Sequence, residues 1–126
     1  MKTNEWLAYL LEQHREEFVE RLAAELQGCG FAPLAGAIST LAADLDLSFT
    51  SDDFTAVATT LSALAGQLGS QDHARAPQAL EQIWQKVEQL LGGYLAEEDE
   101  ISAGARRLAY LRLGELGRQA RELLAS

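Results

Sequence analysis

Cysteine and positive charge are both scarce in this chain of 126 residues. Cys29 is its single cysteine, so no internal disulfide can form, which is typical of proteins from a reducing compartment. Ten lysines and arginines stand against nineteen acidic residues, which gives a net charge of −9. Binding to nucleic acid or to an anionic membrane surface depends on positive charge, so we expect neither partner. The N-terminal residues lack the apolar core of a signal peptide, and we expect a cytoplasmic protein.

Long hydrophobic runs are absent as well. Residues 54–71 carry no formal charge, but threonine, serine, glutamine and glycine interrupt them throughout, so we predict no transmembrane helix. The composition, 48% hydrophobic and 23% charged, is that of an ordinary globular protein. A chain of this length suits one domain, which we take to cover residues 1–126.

Apolar residues recur at three- and four-residue steps along most of the chain, which predicts about five amphipathic helices. No segment alternates in the manner of a β-strand, so the predicted fold class is all-α, either globin-like or a simple helical bundle. In chain order the helices are expected at about Asn4–Leu26, from Pro33 to a loop at Asp44–Thr50, from a cap at Thr50 or Ser51 to Leu68, from Pro77 to Leu95, and from Ser102 to Leu124.

Glycine and acidic residues mark several of the expected boundaries. Gly28 and Gly30 are expected to end the first helix. Asp52 and Asp53 would place negative charge at the positive end of the third helix dipole. The fourth helix keeps its apolar periodicity across Gly92-Gly93, so we predict that it continues through them, weakened by about 1 kcal/mol per glycine.

Charge is unevenly distributed along the chain. Residues 102–126 carry a net charge of +3, whereas residues 1–101 carry −12. The last helix is therefore the expected place where the molecule meets its own acidic surface or a partner. Its basic flank either pairs with the acidic side of the first helix (Glu12, Glu16 and Glu20) or docks an acidic partner or a second protomer. The flank's candidate interface residues are Arg107, Tyr110, Arg118 and Arg121.

The second and third helices have outer sides that are small and uncharged. A solvated helix face usually carries lysine and glutamate, so these sides are expected to be covered. Either other helices of the same domain or a second subunit would cover them. The residues are Gly36, Ser39, Thr40 and Ala43 on one helix and Thr55, Thr59, Ser62 and Gly66 on the next, of which Thr55, Thr59 and Ser62 are candidate interface residues.

His14 lies on the apolar stripe of the first helix, which is unusual for a titratable side chain. It is either a core histidine hydrogen-bonded to a carbonyl or a tyrosine, or a ligand-binding or proton-sensing group. The second alternative predicts a pocket for a small apolar ligand or haem, lined by His14, Phe18, Trp84 and Tyr94.

No motif of an enzyme or a metal site accompanies these features. Two histidines and one cysteine are too few for a zinc site, and no paired Glu-x-x-His motif of a di-iron bundle is present. Cys29 has no evident histidine partner to activate it. We predict a protein that is not an enzyme and needs no cofactor.

The segment Trp6–Phe18, with the sequence WLAYLLEQHREEF, resembles the first helix of a family of bacterial helical sensory domains. These are the N-terminal domains of RsbR-type stressosome proteins and of related histidine kinases. The resemblance implies a globin-like fold without haem, a dimer, and a sensory role in stress signalling for an attached output domain, which the 126 residues do not contain. The expected function is that of a non-enzymatic sensory or regulatory domain. Two alternatives remain open: a binder of an apolar ligand or haem, and an adaptor for an acidic partner.

Overall fold

The structure is a computed structural model, and it describes residues 2–51 and 53–125. Over those residues the chain is all-helical and has no strand, which confirms the predicted fold class. Six helices form rather than five: α1 Thr3–Gln13, α2 Arg15–Gly28, α3 Ala35–Ser51, α4 Thr55–Gln71, α5 Ala76–Glu97 and α6 Ala103–Ala125.

The expected single first helix is wrong, because the chain breaks at His14. The backbone there leaves helical geometry, with φ −113° and ψ 15°. Two hydrogen bonds still bridge the break: the His14 N–H donates to the Leu10 carbonyl (3.1 Å), and the His14 carbonyl accepts from the Phe18 N–H (2.8 Å). The break divides the packing, since α1 lies against α3, α5 and α6 whereas α2 lies against α3 and α5.

The expected loop at Asp44–Thr50 is also wrong, because α3 continues to Ser51. Leu45, Ser48 and Phe49 are buried on its inner side, and the Ser48 hydroxyl donates to the Leu45 carbonyl (2.7 Å). Helix α4 then begins at Thr55 rather than near Thr50 or Ser51.

The first turn of α4 takes its capping oxygen from Asp53. Its carboxylate accepts a hydrogen bond from the Thr55 N–H (2.9 Å), and hydrogen bonding to the side chain and then to the backbone of Thr55 lowers the pKa of Asp53. Asp52, expected to act beside it, lies outside the described residues.

Three other predicted boundaries are confirmed. Gly30, with φ +88°, follows the end of α2, where glycine adopts the left-handed conformation at little cost. Helix α5 runs through Gly92 and Gly93 without interruption. The Ser102 hydroxyl caps α6 by accepting from the Ala105 N–H (3.1 Å).

Helix α5 is the centre of the bundle, because it contacts α1, α2, α4 and α6. Helix α3 packs against α1, α2 and α4 on the other side of the core. The largest fully buried side chains include Phe18, Phe49 and Trp84. None of the described helices combines the length and the apolar character that crossing a membrane requires.

The packing leaves two surfaces uncovered. Helix α6 packs mainly on α1 and α5, so its remaining side faces outward. Helices α3 and α4 pack against each other and present their outer sides away from the core. These surfaces contain the candidate interface residues that the sequence predicts.

Candidate functional site

The outer sides of α3 and α4 form an exposed surface without charge, which we call the α3/α4 face. Its members are Gly36, Ser39, Thr40, Ala43, Thr55, Thr59, Ser62 and Gly66, all exposed. The expectation that other helices of the domain cover these residues is therefore wrong. A second subunit remains as the predicted cover.

Two features reduce the polarity of the α3/α4 face further. The hydroxyls of Thr40 and Thr59 donate to carbonyls one turn earlier in their own helices, at 3.0 Å each. The two acidic side chains of α3 turn toward neighbouring helices instead of the face. Asp44 accepts a hydrogen bond from Thr60 of α4, and Asp46 lies 3.6 Å from the Arg15 guanidinium of α2.

The arginines of α6 are used differently from one another. Arg121 binds Glu88 of α5 through two hydrogen bonds (2.7 and 3.2 Å) and lies 3.6 Å from Glu81. Arg106 donates to the carbonyls of Leu95 and Glu98 and so closes the end of α5. The basic flank of α6 therefore pairs with α5 through Arg121, and its expected pairing with the acidic side of the first helix (Glu12, Glu16 and Glu20) is wrong.

All three arginines of this flank are exposed, but Arg107 and Arg118 make no ion pair with the described residues. Tyr110, predicted beside them, donates its hydroxyl to the Gly92 carbonyl (3.1 Å) and is 40% exposed. The predicted interface flank is thus divided between Arg121, which forms ion pairs with Glu81 and Glu88, and two guanidinium groups without an ion-pair partner in the described part of the chain.

Two exposed leucines, which the sequence analysis did not single out, lie beside these arginines. Leu108 is 55% exposed and Leu111 is 60% exposed. Both belong to an exposed row along α6 with alternating four- and three-residue spacing, which we call the α6 ridge: Gly104, Leu108, Leu111, Glu115 and Arg118. Their spacing was the available signal, because it repeats as a heptad seam does.

A wide groove of about 800 Å³ runs beside the α6 ridge. The start of α1 and the end of α3 form its other wall, including Phe49 and Thr50, while Leu108 and Leu111 line the α6 side. Thr50 is exposed on the end of α3, so the uncharged outer side of that helix leads into the groove.

Of the four residues predicted to line a ligand pocket, the structure brings His14 and Tyr94 into contact. Their rings stack with centroids 4.1 Å apart and planes 9° from parallel. His14 is half-buried at the break between α1 and α2, and its Nδ1 lies 3.7 Å from a Glu17 carboxylate oxygen. Tyr94 is only 6% exposed, and its hydroxyl has no hydrogen-bond partner among the described residues. Burial raises the pKa of Tyr94 to about 12.

Phe18 and Trp84, the other two residues, are parts of the hydrophobic core. The Trp84 indole N–H donates to the Glu88 carboxylate (2.8 Å), which also receives Arg121. Trp84 and Tyr94 lie ten residues apart on one helix, a rise of about 15 Å. That separation exceeds the width of a compact small-ligand pocket.

A different apolar groove, which the sequence did not predict, lies between α4, α5 and the end of α6. Its volume is about 400 Å³. Leu61, Ala65, Leu80, Leu123 and Leu124 supply apolar walls, and His73 and Ser62 add polar groups at its border. The groove forms because three helices separated in sequence converge there, which periodicity along one helix does not reveal.

Cys29 is held in a shielding environment. Its thiol donates to the Gln82 side-chain oxygen (2.7 Å), and burial together with the nearby Glu25 raises its pKa. A protonated thiol is a poor nucleophile. Within the described part of the chain, no group of three or more histidine, cysteine, aspartate or glutamate side chains is arranged to hold a metal ion.

Comparison with known proteins adds no relative: no protein-family model, no curated protein and no solved structure matches this chain.

Proposed function

We propose that this chain is a non-enzymatic helical sensory or regulatory domain of bacterial signal transduction, and that it works as a homodimer. The proposal for signalling draws on the resemblance of Trp6–Phe18 to the RsbR-type sensory domains. The proposal that the chain associates draws on the exposed surfaces of the bundle, which are its main support.

One observation supports association most strongly. A chain with a net charge of −9 keeps its α3/α4 face free of charge and exposes Leu108 and Leu111 on α6. Solvated helix faces ordinarily carry charged side chains, and exposed apolar patches commonly mark interaction sites. Fully burying an exposed leucine side chain contributes about 1.5–3 kcal/mol, so a protein that covers the partly exposed Leu108 and Leu111 gains a fraction of that amount from each.

Sedimentation velocity tests the proposal directly. We expect the chain to sediment as a dimer at micromolar concentration, and to dissociate on dilution. A species with the 13.7 kDa mass of one chain at every concentration up to about 100 µM would contradict self-association, because biological dimers commonly have dissociation constants below that range.

Binding of a small apolar ligand is a second candidate function, favoured by the groove between α4, α5 and α6. We expect decanoate, a slender apolar chain with one carboxylate, to raise the melting temperature of the chain. Replacing Ala65→Leu should fill the groove and abolish this rise, while Ala43→Leu on the outer side of α3 serves as the matched control. Equal shifts in both variants, or no shift in the parent chain, would contradict a site in this groove.

The adaptor alternative, an acidic partner protein bound at α6, would use the two exposed arginines of this helix that make no ion pair with the described residues. These are Arg107 and Arg118. Arg121 is not available to an acidic partner in the same way, because it already pairs with Glu88 and Glu81. Any test of an acidic partner should therefore replace the first two arginines and leave the third unchanged.

A further inference from the structure

We infer that α6 binds an acidic amphipathic helix of another protein along a row of exposed residues, which we call the arginine row: Arg107, Leu111, Gly114 and Arg118. The inference rests on the adaptor alternative and adds the surface and the chemistry of the partner. It leaves the α3/α4 face to the proposed homodimer. The geometry of the row, its charge and the apolar surface beside it support the inference.

The residues of the arginine row lie in line along the outer side of α6. An α-helix turns by about 100° per residue, so residues four, seven and eleven positions after Arg107 return to within about 40° of its direction. Leu111, Gly114 and Arg118 occupy those positions. The two arginines are therefore separated by about three turns, a rise of about 16 Å, with an exposed leucine and a glycine between them.

The arginine row carries positive charge and contains no acidic residue. Arg107 and Arg118 make no ion pair with the described residues. The two glutamates of α6 lie to one side of the row, and Glu115 already accepts a hydrogen bond from Arg112 (3.1 Å). An amphipathic helix with two carboxylates about three turns apart matches this pattern of charge, because each carboxylate meets one arginine.

Apolar surface lies between and beside the two arginines. Leu111 is 60% exposed, and Leu108, next to Arg107 in sequence, is 55% exposed. Nothing lies within 4 Å of the position that a Cβ of Gly114 would take, so another helix can approach α6 closely there. The groove of about 800 Å³ beside Leu108 and Leu111 has room for side chains of that helix. The bound helix therefore needs an apolar stripe between its carboxylates.

A second copy of this chain does not match the arginine row. Two rows that meet antiparallel place Arg107 opposite Arg118, and two rows that meet in parallel place each arginine opposite the same arginine of the second copy. Like charges in contact across an interface disfavour association. The uncharged α3/α4 face lets two copies meet without this repulsion.

The test measures the dissociation constants of two synthetic helices for the full-length chain by fluorescence anisotropy. Each probe has about 20 residues, with a stripe of leucines, two charged residues eleven positions apart, and alanine or glutamine elsewhere. The charged residues are glutamates in one probe and lysines in the other. We expect the glutamate probe to bind at least about tenfold more tightly. The net charge of −9 attracts the lysine probe at long range, so this order of affinities requires a local basic surface.

Variants of the arginines locate the site. Arg107→Gln and Arg118→Gln together should weaken binding of the glutamate probe by about tenfold, because both ion pairs are lost. Arg21→Gln with Lys86→Gln is the matched control, since it makes the same change in net charge on α2 and α5. We expect this control to leave the dissociation constant within about twofold of the parent value, and circular dichroism checks the folding of each variant.

A leucine variant tests the apolar centre of the arginine row. Leu111→Gln should weaken binding of the glutamate probe by about fivefold, because less apolar area is buried. Leu47→Gln is its matched control, since Leu47 is 55% exposed on α3 outside the row. This control should leave the dissociation constant unchanged.

The outcomes separate the inference from the functions proposed above. Absence of binding by both probes at about 100 µM, or equal or tighter binding of the lysine probe, would overturn the inference and the adaptor alternative together. Binding of the glutamate probe that the arginine variants leave intact would overturn the arginine row and leave an acidic partner standing. A glutamate probe that dissociates a dimer of the chain in sedimentation velocity would show that a second copy occupies α6, which also overturns the inference.

Discussion

At the scale of single residues, Tyr94 has an unusual environment because its hydroxyl is buried without a hydrogen-bond partner among the described residues. Leaving a buried polar group unpaired costs about 1–3 kcal/mol, whereas removing the group can be neutral or stabilising. The stacked His14 ring covers one side of the tyrosine ring but supplies no hydrogen bond.

We therefore expect Tyr94→Phe to stabilise the fold by about 1 kcal/mol in urea unfolding. Tyr110→Phe is the matched control, because it removes a hydroxyl that donates to the Gly92 carbonyl and should stabilise nothing. Destabilisation by Tyr94→Phe would show that the hydroxyl has a partner, such as an ordered water.

The same residue predicts a dependence on pH. The pKa of Tyr94 in the folded chain is about 12, above the value of about 10 for an unfolded tyrosine. The folded state thus binds the proton more tightly, so this contribution to stability is present below about pH 10 and is lost as pH rises toward 12. Between about pH 9 and 11, the parent chain should lose more stability than Tyr94→Phe; equal losses would contradict burial of the phenol.

The periodicity of apolar residues predicted which residue lies next to His14, but not what His14 does. It placed His14 and Tyr94 on stripes that face each other, and the structure stacks their rings. It could not show that Trp84 lies about 15 Å along α5 from Tyr94, toward Arg121. A stripe of apolar residues shows which side of a helix faces the core, but not whether two residues lie at the same height along the helix axis.

At the scale of helices, the contact between α5 and α6 depends on the small size of Gly117. A methyl group at this position would overlap the Glu88 carboxylate and lie 2.9 Å from the Arg121 guanidinium. That carboxylate accepts from both Trp84 and Arg121, so it joins the core of α5 to the surface of α6.

We expect Gly117→Ala to lower the free energy of unfolding, because displacing Glu88 loses hydrogen bonds to a charged group, worth about 1.5–3 kcal/mol each, and this exceeds the gain of about 1 kcal/mol in helix propensity. Gly93→Ala is the matched control within α5, where an added methyl group meets nothing within 4 Å. It should raise the free energy of unfolding by about 1 kcal/mol through helix propensity alone. If both substitutions stabilise the fold in urea unfolding, the hydrogen bonds of Glu88 do not hold α5 and α6 together.

The helices could be predicted from sequence where capping and periodicity agree. Ser102 at the start of α6 and the stripe across Gly92-Gly93 in α5 are examples, and both are confirmed. The break at His14 escaped prediction because the apolar stripe keeps its phase on both sides of it. The end of α3 was misjudged because Asp46 and Ser48 read as loop residues, whereas Asp46 lies near Arg15 and Ser48 bonds to its own helix.

At the scale of the whole molecule, charge separates into an acidic body and a basic last helix. The sequence predicted that α6 would carry an interaction, but its expected intramolecular partner was the first helix. Tertiary packing assigns that pairing to Glu81 and Glu88 of α5 instead, which leaves Arg107 and Arg118 without ion pairs among the described residues. Which charges pair across helices depends on packing, which periodicity does not specify.

The exposed surfaces connect this separation of charge to the proposed function. A domain that acts alone gains nothing from an uncharged α3/α4 face and two exposed leucines on α6, both of which lower its solubility. A domain that associates gains free energy from covering them. Self-association is therefore the property on which the proposal of a regulatory dimer depends.

The mass of the parent chain in solution tests this claim most directly. Sedimentation equilibrium across micromolar concentrations should give a mass that rises from 13.7 kDa toward twice that value as concentration increases. A mass that stays at 13.7 kDa over the whole range would contradict the account.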